Sequence, residues 1–218
     1  MDILDNFVVF EGGDGSGTST QLGIIEQKLK ENGRQAPVFF TTFEPTTGAI
    51  GKIIRSALKK DLILRAETLA RLFAADRGEH LFASGGIIER CGQGELVICD
   101  RYILSSLVYQ GIECGDELPL GLNSSFPIPQ LLLFFDIDPQ IAIQRMGSRP
   151  SLEIYENLEF QKKVREKYLS LLGVFREAGA CVEIIDASQN IEKVSRDVWR
   201  TVSKMPIFNT GDLSQECL

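Results

Sequence analysis

Residues 7–10, Phe-Val-Val-Phe, form an uninterrupted β-prone run that ends in Glu11, Gly12 and Gly13. This pattern predicts a strand buried on both faces. Apolar side chains then recur at Leu22, Ile25 and Leu29, the spacing of one helix face, so a helix is expected over 19–32 with Gly33 as its stop. The alternation continues with a strand over 38–42, a helix over Ala49–Leu58, a long helical stretch over 66–90 and an apolar strand over 96–99. Beyond these the pattern predicts a helix over 104–111, a strand over 131–137, a helix over Pro139–Met146, a helix over 158–178, a strand over 182–185 and a last helix over 191–203. Segments 117–130 and 147–151, rich in Pro, Gly and Ser, read as loops, and the chain after Pro206 is expected to fray.

Strands separated by helices imply an α/β fold with a mostly parallel sheet covered on both faces. Ligands in such folds gather beyond the carboxyl ends of the strands. The 218 residues suit one domain, and no internal repeat divides them. With 44% hydrophobic residues, a mean hydropathy near zero and no apolar run approaching ~20 residues, no membrane span is expected. The amino-terminal residues lack a basic, then apolar, leader pattern, which points to the cytoplasm. Five scattered cysteines without a CxxC and a single histidine, His80, argue against a disulfide framework or a zinc site. A net charge of −7 excludes a broad nucleic-acid surface but not a small anion held by a few cations in one cleft.

The segment Gly12-Gly13-Asp14-Gly15-Ser16-Gly17-Thr18-Ser19 follows a predicted strand and opens a predicted helix, where a phosphate-cradling loop must sit. Glycines let backbone N–H groups turn inward, and the helix N-terminus adds positive potential. The pattern is GxxxxG followed by Thr18 and Ser19, where the standard motif has Lys and then Ser or Thr. Ser19 stands where a Mg²⁺-bound hydroxyl is expected, with Thr20 in the same turn.

Phe10-Glu11-Gly12-Gly13-Asp14-Gly15-Ser16-Gly17 resembles the FEGxDGxG phosphate loop of the thymidylate kinase family of P-loop nucleoside monophosphate kinases. Glu44-Pro45 is similar to the family's REP segment, and 72–77 (Leu-Phe-Ala-Ala-Asp-Arg) to its LFxADR helix. Asp100-Arg101-Tyr102, Ser105-Ser106 and Tyr109-Gln110-Gly111 match DRYxxSSxxYQG. Tyr155-Glu156-Asn157 resembles a lid segment of eukaryotic members, and 185–189 the last strand and turn. The matches run from Phe7 to Trp199 in the family's order.

The resemblance implies a P-loop NTPase-type three-layer sandwich with five parallel strands, forming a single domain over 1–218 with a lid near 147–157. It also implies transfer of the ATP γ-phosphoryl group to dTMP with Mg²⁺, and a homodimer. By resemblance, Gly12 through Thr20 hold the donor phosphates, Asp100 sits near Mg²⁺ with Ser19, and Arg101 holds the acceptor phosphate. Phe73 and Arg77, four apart on one helix, would stack on and hydrogen-bond the base. Asp14 would take the 3′-hydroxyl, Tyr109 would pack against the sugar, and Ser105, Ser106 and Gln110 would lie near the base. Glu44 and Arg55 belong to the acceptor side, while Arg145 and Arg149 form the entry to the lid and are catalytic candidates. Each has a plainer reading: an ion pair capping a strand for Asp100 and Arg101, core aromatics for Phe73 and Tyr109, a solvated helix face for Arg55, Arg145 and Arg149.

Several family cations are absent. Thr18 replaces the loop lysine, Phe43 the arginine before Glu44-Pro45, and Leu152 or Ile154 a lid arginine, while Gly15 lacks the loop arginine of eukaryotic members. Losing one such donor commonly lowers turnover by on the order of 10² to 10³, about 3 to 4 kcal/mol. Lys52, Arg145 and Arg149 are the candidates to restore charge. Two other functions share these residues: a catalytically silent nucleotide binder, and a P-loop kinase for another pyrimidine nucleotide or a deoxynucleoside.

Overall fold

The computed structural model describes residues 2–147 and 158–209. Among these, five parallel strands make one sheet: β1 Ile3–Gly12, β2 Phe39–Phe43, β3 Leu96–Asp100, β4 Ile128–Asp136 and β5 Cys181–Asp186, in the order β2-β3-β1-β4-β5. Central β1 pairs Phe7 with Val97 on one side and Val8 with Leu131 on the other.

Alternation along β1 separates two cores, because successive side chains of a strand point to opposite faces. Phe7 and Val9 join one cluster with Ile54 of helix α2 (Ala49–Leu58), Leu81 of α3 (Ala66–Phe82), Val108 of α5 (Ile103–Cys114) and Tyr168 of α8 (Leu158–Glu177). Val8 and Phe10 join the other with Leu22, Ile25 and Leu29 of α1 (Thr18–Glu31), Ala142 of α7 (Pro139–Met146) and Val194 and Val198 of α9 (Ile191–Val202). The expected three-layer α/β sandwich follows from this division. No helix among the described residues is long and apolar enough to cross a membrane.

Three expectations need correction. The stretch over 66–90 is two helices, α3 and α4 (Ile87–Gly92), parted at Gly85, whose φ is +72°, and Gly86, where a Cβ would lie 2.7 Å from the Ala83 carbonyl oxygen. Segment 117–130 contains a helix, α6 (Glu117–Asn123), as well as the start of β4. Its Pro119 lies in the first turn, where a missing N–H removes no intrahelical bond. Past Pro206 the chain does not fray at once: Pro206–Phe208 form a 3₁₀ turn, and Phe208 meets Trp199 edge-on at 5.9 Å. The segments 148–157 and 210–218 lie outside the described residues, and with them Arg149, Leu152, Ile154 and most of the expected lid.

Candidate active site

The phosphate loop leaves the carboxyl end of β1 and enters α1 at Thr18. Gly15 and Gly17 have φ of +79° and +92°, and a Cβ on Gly15 would lie 2.7 Å from the Ala142 carbonyl oxygen, so packing as well as conformation demands glycine there. No side chain caps α1, and its first-turn N–H groups border a cavity of about 710 Å³ lined by Gly13 through Gln21. Uncapped N–H groups at a helix start form an anion site.

Ser19 Oγ donates to Asp100 Oδ2 at 2.5 Å. Asp100 ends β3, beside β1, and its Oδ1 is buried with no hydrogen-bond partner. A hydroxyl and an unsatisfied carboxylate oxygen at a phosphate loop fit Mg²⁺, which takes one or two protein oxygens and completes its shell with water and phosphate. Thr18, at the usual lysine position, is 4% exposed and lies on the wall of the same cavity.

A second cavity, of about 240 Å³, lies against α2, α3 and α5 and is lined by Asp14, Phe43, Glu44, Arg55, Phe73, Arg77, Arg101, Ser105, Ser106, Tyr109 and Gln110, among others. Asp14 and Arg101 line both cavities. Arg101 has a left-handed backbone, φ 67°, uncommon for a non-glycine residue and held only where surroundings dictate it. Its N–H donates to the Phe10 carbonyl at 2.8 Å, and its carbonyl accepts from the Cys99 thiol at 3.1 Å. Burial raises the Cys99 pKa well above its ordinary value, so the thiol keeps its proton. The Arg101 guanidinium donates to Asp14 at 2.7 Å and to the Gly12 carbonyl at 2.9 Å, and lies over the Tyr109 ring at 5.5 Å. Burial likewise raises the Tyr109 pKa, so the ring beneath Arg101 keeps a neutral hydroxyl.

Arg77 is 1% exposed. Its Nε and Nη2 donate to Glu44 Oε2 at 2.9 and 2.7 Å, Nη2 also to Ser106 at 3.1 Å, and Nη1 to Asn123 Oδ1. Phe73, one turn earlier on the same helix, is half-buried on the cavity wall. Glu44 is committed to Arg77 and His80, and Arg55 donates to the Pro45 and Thr46 carbonyls at 2.6 and 2.5 Å, which fixes the segment beside the cis Glu44-Pro45 bond. Of the other candidate cations, Lys52 is exposed and lines neither cavity. Arg145 borders the larger cavity, where it donates to the Ala187 and Ser188 carbonyls at 2.8 and 3.2 Å.

Four site residues had no assigned role in the sequence reading. Glu11, fully buried, accepts from the Tyr102 and Ser105 N–H groups at 2.9 and 3.2 Å and from the Ser105 and Tyr168 hydroxyls at 2.6 and 3.1 Å, capping α5 from another strand. Gln161 donates to Asp14 at 2.9 Å. Asn123 and His80 complete the surroundings of Arg77 and Glu44. Glu11 and His80 carried a signal, a charged residue against an apolar strand and a lone histidine one turn after Arg77. Asn123 carried none.

The sequence model of the thymidylate kinase family matches residues 10–198. A Treponema pallidum protein described as a thymidylate kinase is 43% identical over 197 residues, covering 89% of this chain and 93% of its own. One from Pyrobaculum aerophilum is 39% identical over 203 residues, covering 93% and 98%. The solved thymidylate kinase of Candida albicans superposes with a TM-score of 0.75 at 24% identity, covering 93% of this chain and 92% of its own, a likeness of fold.

Proposed function

This chain belongs to the thymidylate kinase family, and we propose that it transfers the γ-phosphoryl group of ATP to dTMP, giving dTDP, in the cytoplasm. The observation that carries this reading is that Asp14 and Arg101 line both cavities, so donor and acceptor phosphates would meet at one cation. Phosphoryl transfer asks the protein for positioning and charge stabilisation more than covalent work. The α1 N-terminus would hold the donor phosphates, Arg101 the acceptor phosphate, and Phe73 and Arg77 the base. Asp14, braced by Arg101 and Gln161, offers its carboxylate to the sugar 3′-hydroxyl. Gly12 through Thr20 form the donor cradle, and Arg145 flanks its far wall. Ser105, Ser106, Tyr109 and Gln110 shape the acceptor cavity together with Glu44 and Arg55 on its wall.

Ser19 and Asp100 would hold Mg²⁺, which supplies charge neutralisation on the donor phosphates. Tyr109 and Gln161 fix the orientation of Arg101 and Asp14, and α5 walls the acceptor side with Ser105, Ser106, Tyr109 and Gln110.

A coupled ADP-release assay with Mg·ATP and dTMP, dUMP, dCMP or thymidine tests the proposal: turnover confined to dTMP supports it. A second reading, a silent nucleotide binder, has its own observation. The larger cavity is lined by two arginines among the described residues, Arg101 and Arg145, and both donate to protein acceptors. Tight dTMP binding without ADP release would favour it. The family likeness also supports a homodimer, which sedimentation velocity measures.

A further inference from the structure

Arg77 is held by Glu44 and Ser106 on the wall of the acceptor cavity and, from outside that wall, by Asn123 directly and His80 through Glu44. A guanidinium has five N–H donors. Four are accounted for: Nε–H and one Nη2–H to Glu44, the other Nη2–H to Ser106, and one Nη1–H to Asn123. A single N–H, on Nη1, is left for a ligand in the cavity that Arg77 borders.

Two side chains decide that it is this one. Asn123, 2% exposed, has its amide orientation set by donating Nδ2–H to the Pro119 carbonyl at 2.7 Å, so its oxygen faces Arg77. On the opposite side Glu44 presents Oε2 to Arg77 because its other oxygen, Oε1, is engaged by His80 Nδ1 at 3.2 Å. A carboxylate only accepts, so Nδ1 carries the proton, and Nε2 at 2.7 Å from Thr42 Oγ1 is free to accept the threonine hydroxyl. Asn123 in α6 braces the guanidinium directly, and Thr42 in β2 braces it through His80, on the same helix as Arg77, and Glu44.

We propose that His80 and Asn123 are positioning residues for acceptor-base recognition: with Glu44 they hold Arg77 so that one N–H of Nη1, and no other, is offered to a carbonyl oxygen of the base. The inference rests on the reading of this cavity as the acceptor site. His80 acts through its Nδ1–H alone, which makes the chemistry of replacement specific. An asparagine at 80 puts an amide N–H near the place of Nδ1, whereas a glutamine puts one near the place of Nε2.

The experiment combines kinetics and NMR on tag-free protein. Removing a hydrogen bond to a charged group changes binding by roughly 10-fold or more. His80→Ala and Asn123→Ala are therefore expected to raise the dTMP KM by about 10-fold while kcat changes by less than about 3-fold. His80→Asn is expected to restore KM to within about 3-fold of the parent, and His80→Gln is not. Because His80 is the only histidine of the chain, ¹⁵N-histidine labelling reports its ring without overlap, and Nδ1 is expected to carry a proton at pH 7.5.

Unchanged KM in His80→Ala and Asn123→Ala, rescue by His80→Gln as good as by His80→Asn, or an Nδ1 without a proton would each overturn the inference. A parent protein that neither binds nor phosphorylates dTMP would overturn the acceptor-site reading and the inference together. Normal parent activity with indifferent variants overturns the inference alone.

Discussion

Ser19 Oγ lies 2.5 Å from Asp100 Oδ2, so the first turn of α1 and the end of β3 meet at one hydroxyl-carboxylate pair. Parallel pairing of β1 with β3 makes this meeting unavoidable, since Phe10 stands opposite Asp100 and the phosphate loop leaves β1 two residues later. Asp100 Oδ1 is buried and unsatisfied, which is the ground for the proposed Mg²⁺ site. Ser19→Ala is expected to raise the Mg²⁺ concentration needed for half-maximal turnover by roughly 10-fold, the scale seen when supporting partners of a metal are removed. Titrating Mg²⁺ at saturating ATP and dTMP measures it; an unshifted midpoint would place the metal elsewhere.

Phe73 lines the smaller cavity from α3, where the proposed base would stack. Stacking of a base on an aromatic ring contributes about 1–3 kcal/mol. Phe73→Ala is expected to raise the dTMP KM by roughly 10-fold or more, and Phe73→Tyr to leave it nearly unchanged. Steady-state kinetics on the two variants decides this, and equal effects in both would mean that Phe73 serves packing alone.

Thr18 lies on the wall of the larger cavity, at the position where the standard phosphate loop has its lysine. Thr18→Lys adds a positive charge at that point, so kcat is expected to rise by about 10-fold or more if no other side chain supplies it. A rate that is unchanged or lower would show that charge reaches the donor phosphates from another residue.

Glu11 titrates with a definite sign. Burial raises its pKa above the ordinary 4.5, and this outweighs the lowering by Ser105, Arg101 and Tyr102. The folded state therefore binds this proton more tightly than the unfolded chain, so the contribution of Glu11 to stability falls as pH rises from about 4.5 through the raised value. Glu11→Gln removes the slope and keeps the shape. The melting temperature of the variant relative to the parent is expected to increase with pH upward from 4.5, and thermal melts across that range check it. A difference that shrinks with rising pH would reverse the assignment.

The fold was legible where spacing alone decided burial. Leu22, Ile25 and Leu29 all point inward from α1, and 7–10 form the buried centre of β1. It was not legible where a polar residue or a breaker interrupted the pattern. Asn6, with φ 60°, marks an irregularity in the pairing of β1 with β4, which hid the first part of the strand behind Asp5 and Asn6. Pro119 and Gly121 disguised α6, and with it Asn123. Most residues lining the smaller cavity sit in short motifs that the sequence displays. Their bracing was not legible, since Glu11 meets Tyr168, and Arg77 meets Glu44 and Asn123, only after distant segments come together.

Formation of dTDP from Mg·ATP and dTMP by the parent protein and by Arg101→Ala is the sharpest test of the proposed placement of phosphoryl transfer at Arg101. The parent is expected to form dTDP, and kcat to fall by about 10² to 10³ in a variant that melts within a few degrees of it. Comparable rates in both proteins, or dTMP bound by the parent without any dTDP formed, would contradict that placement.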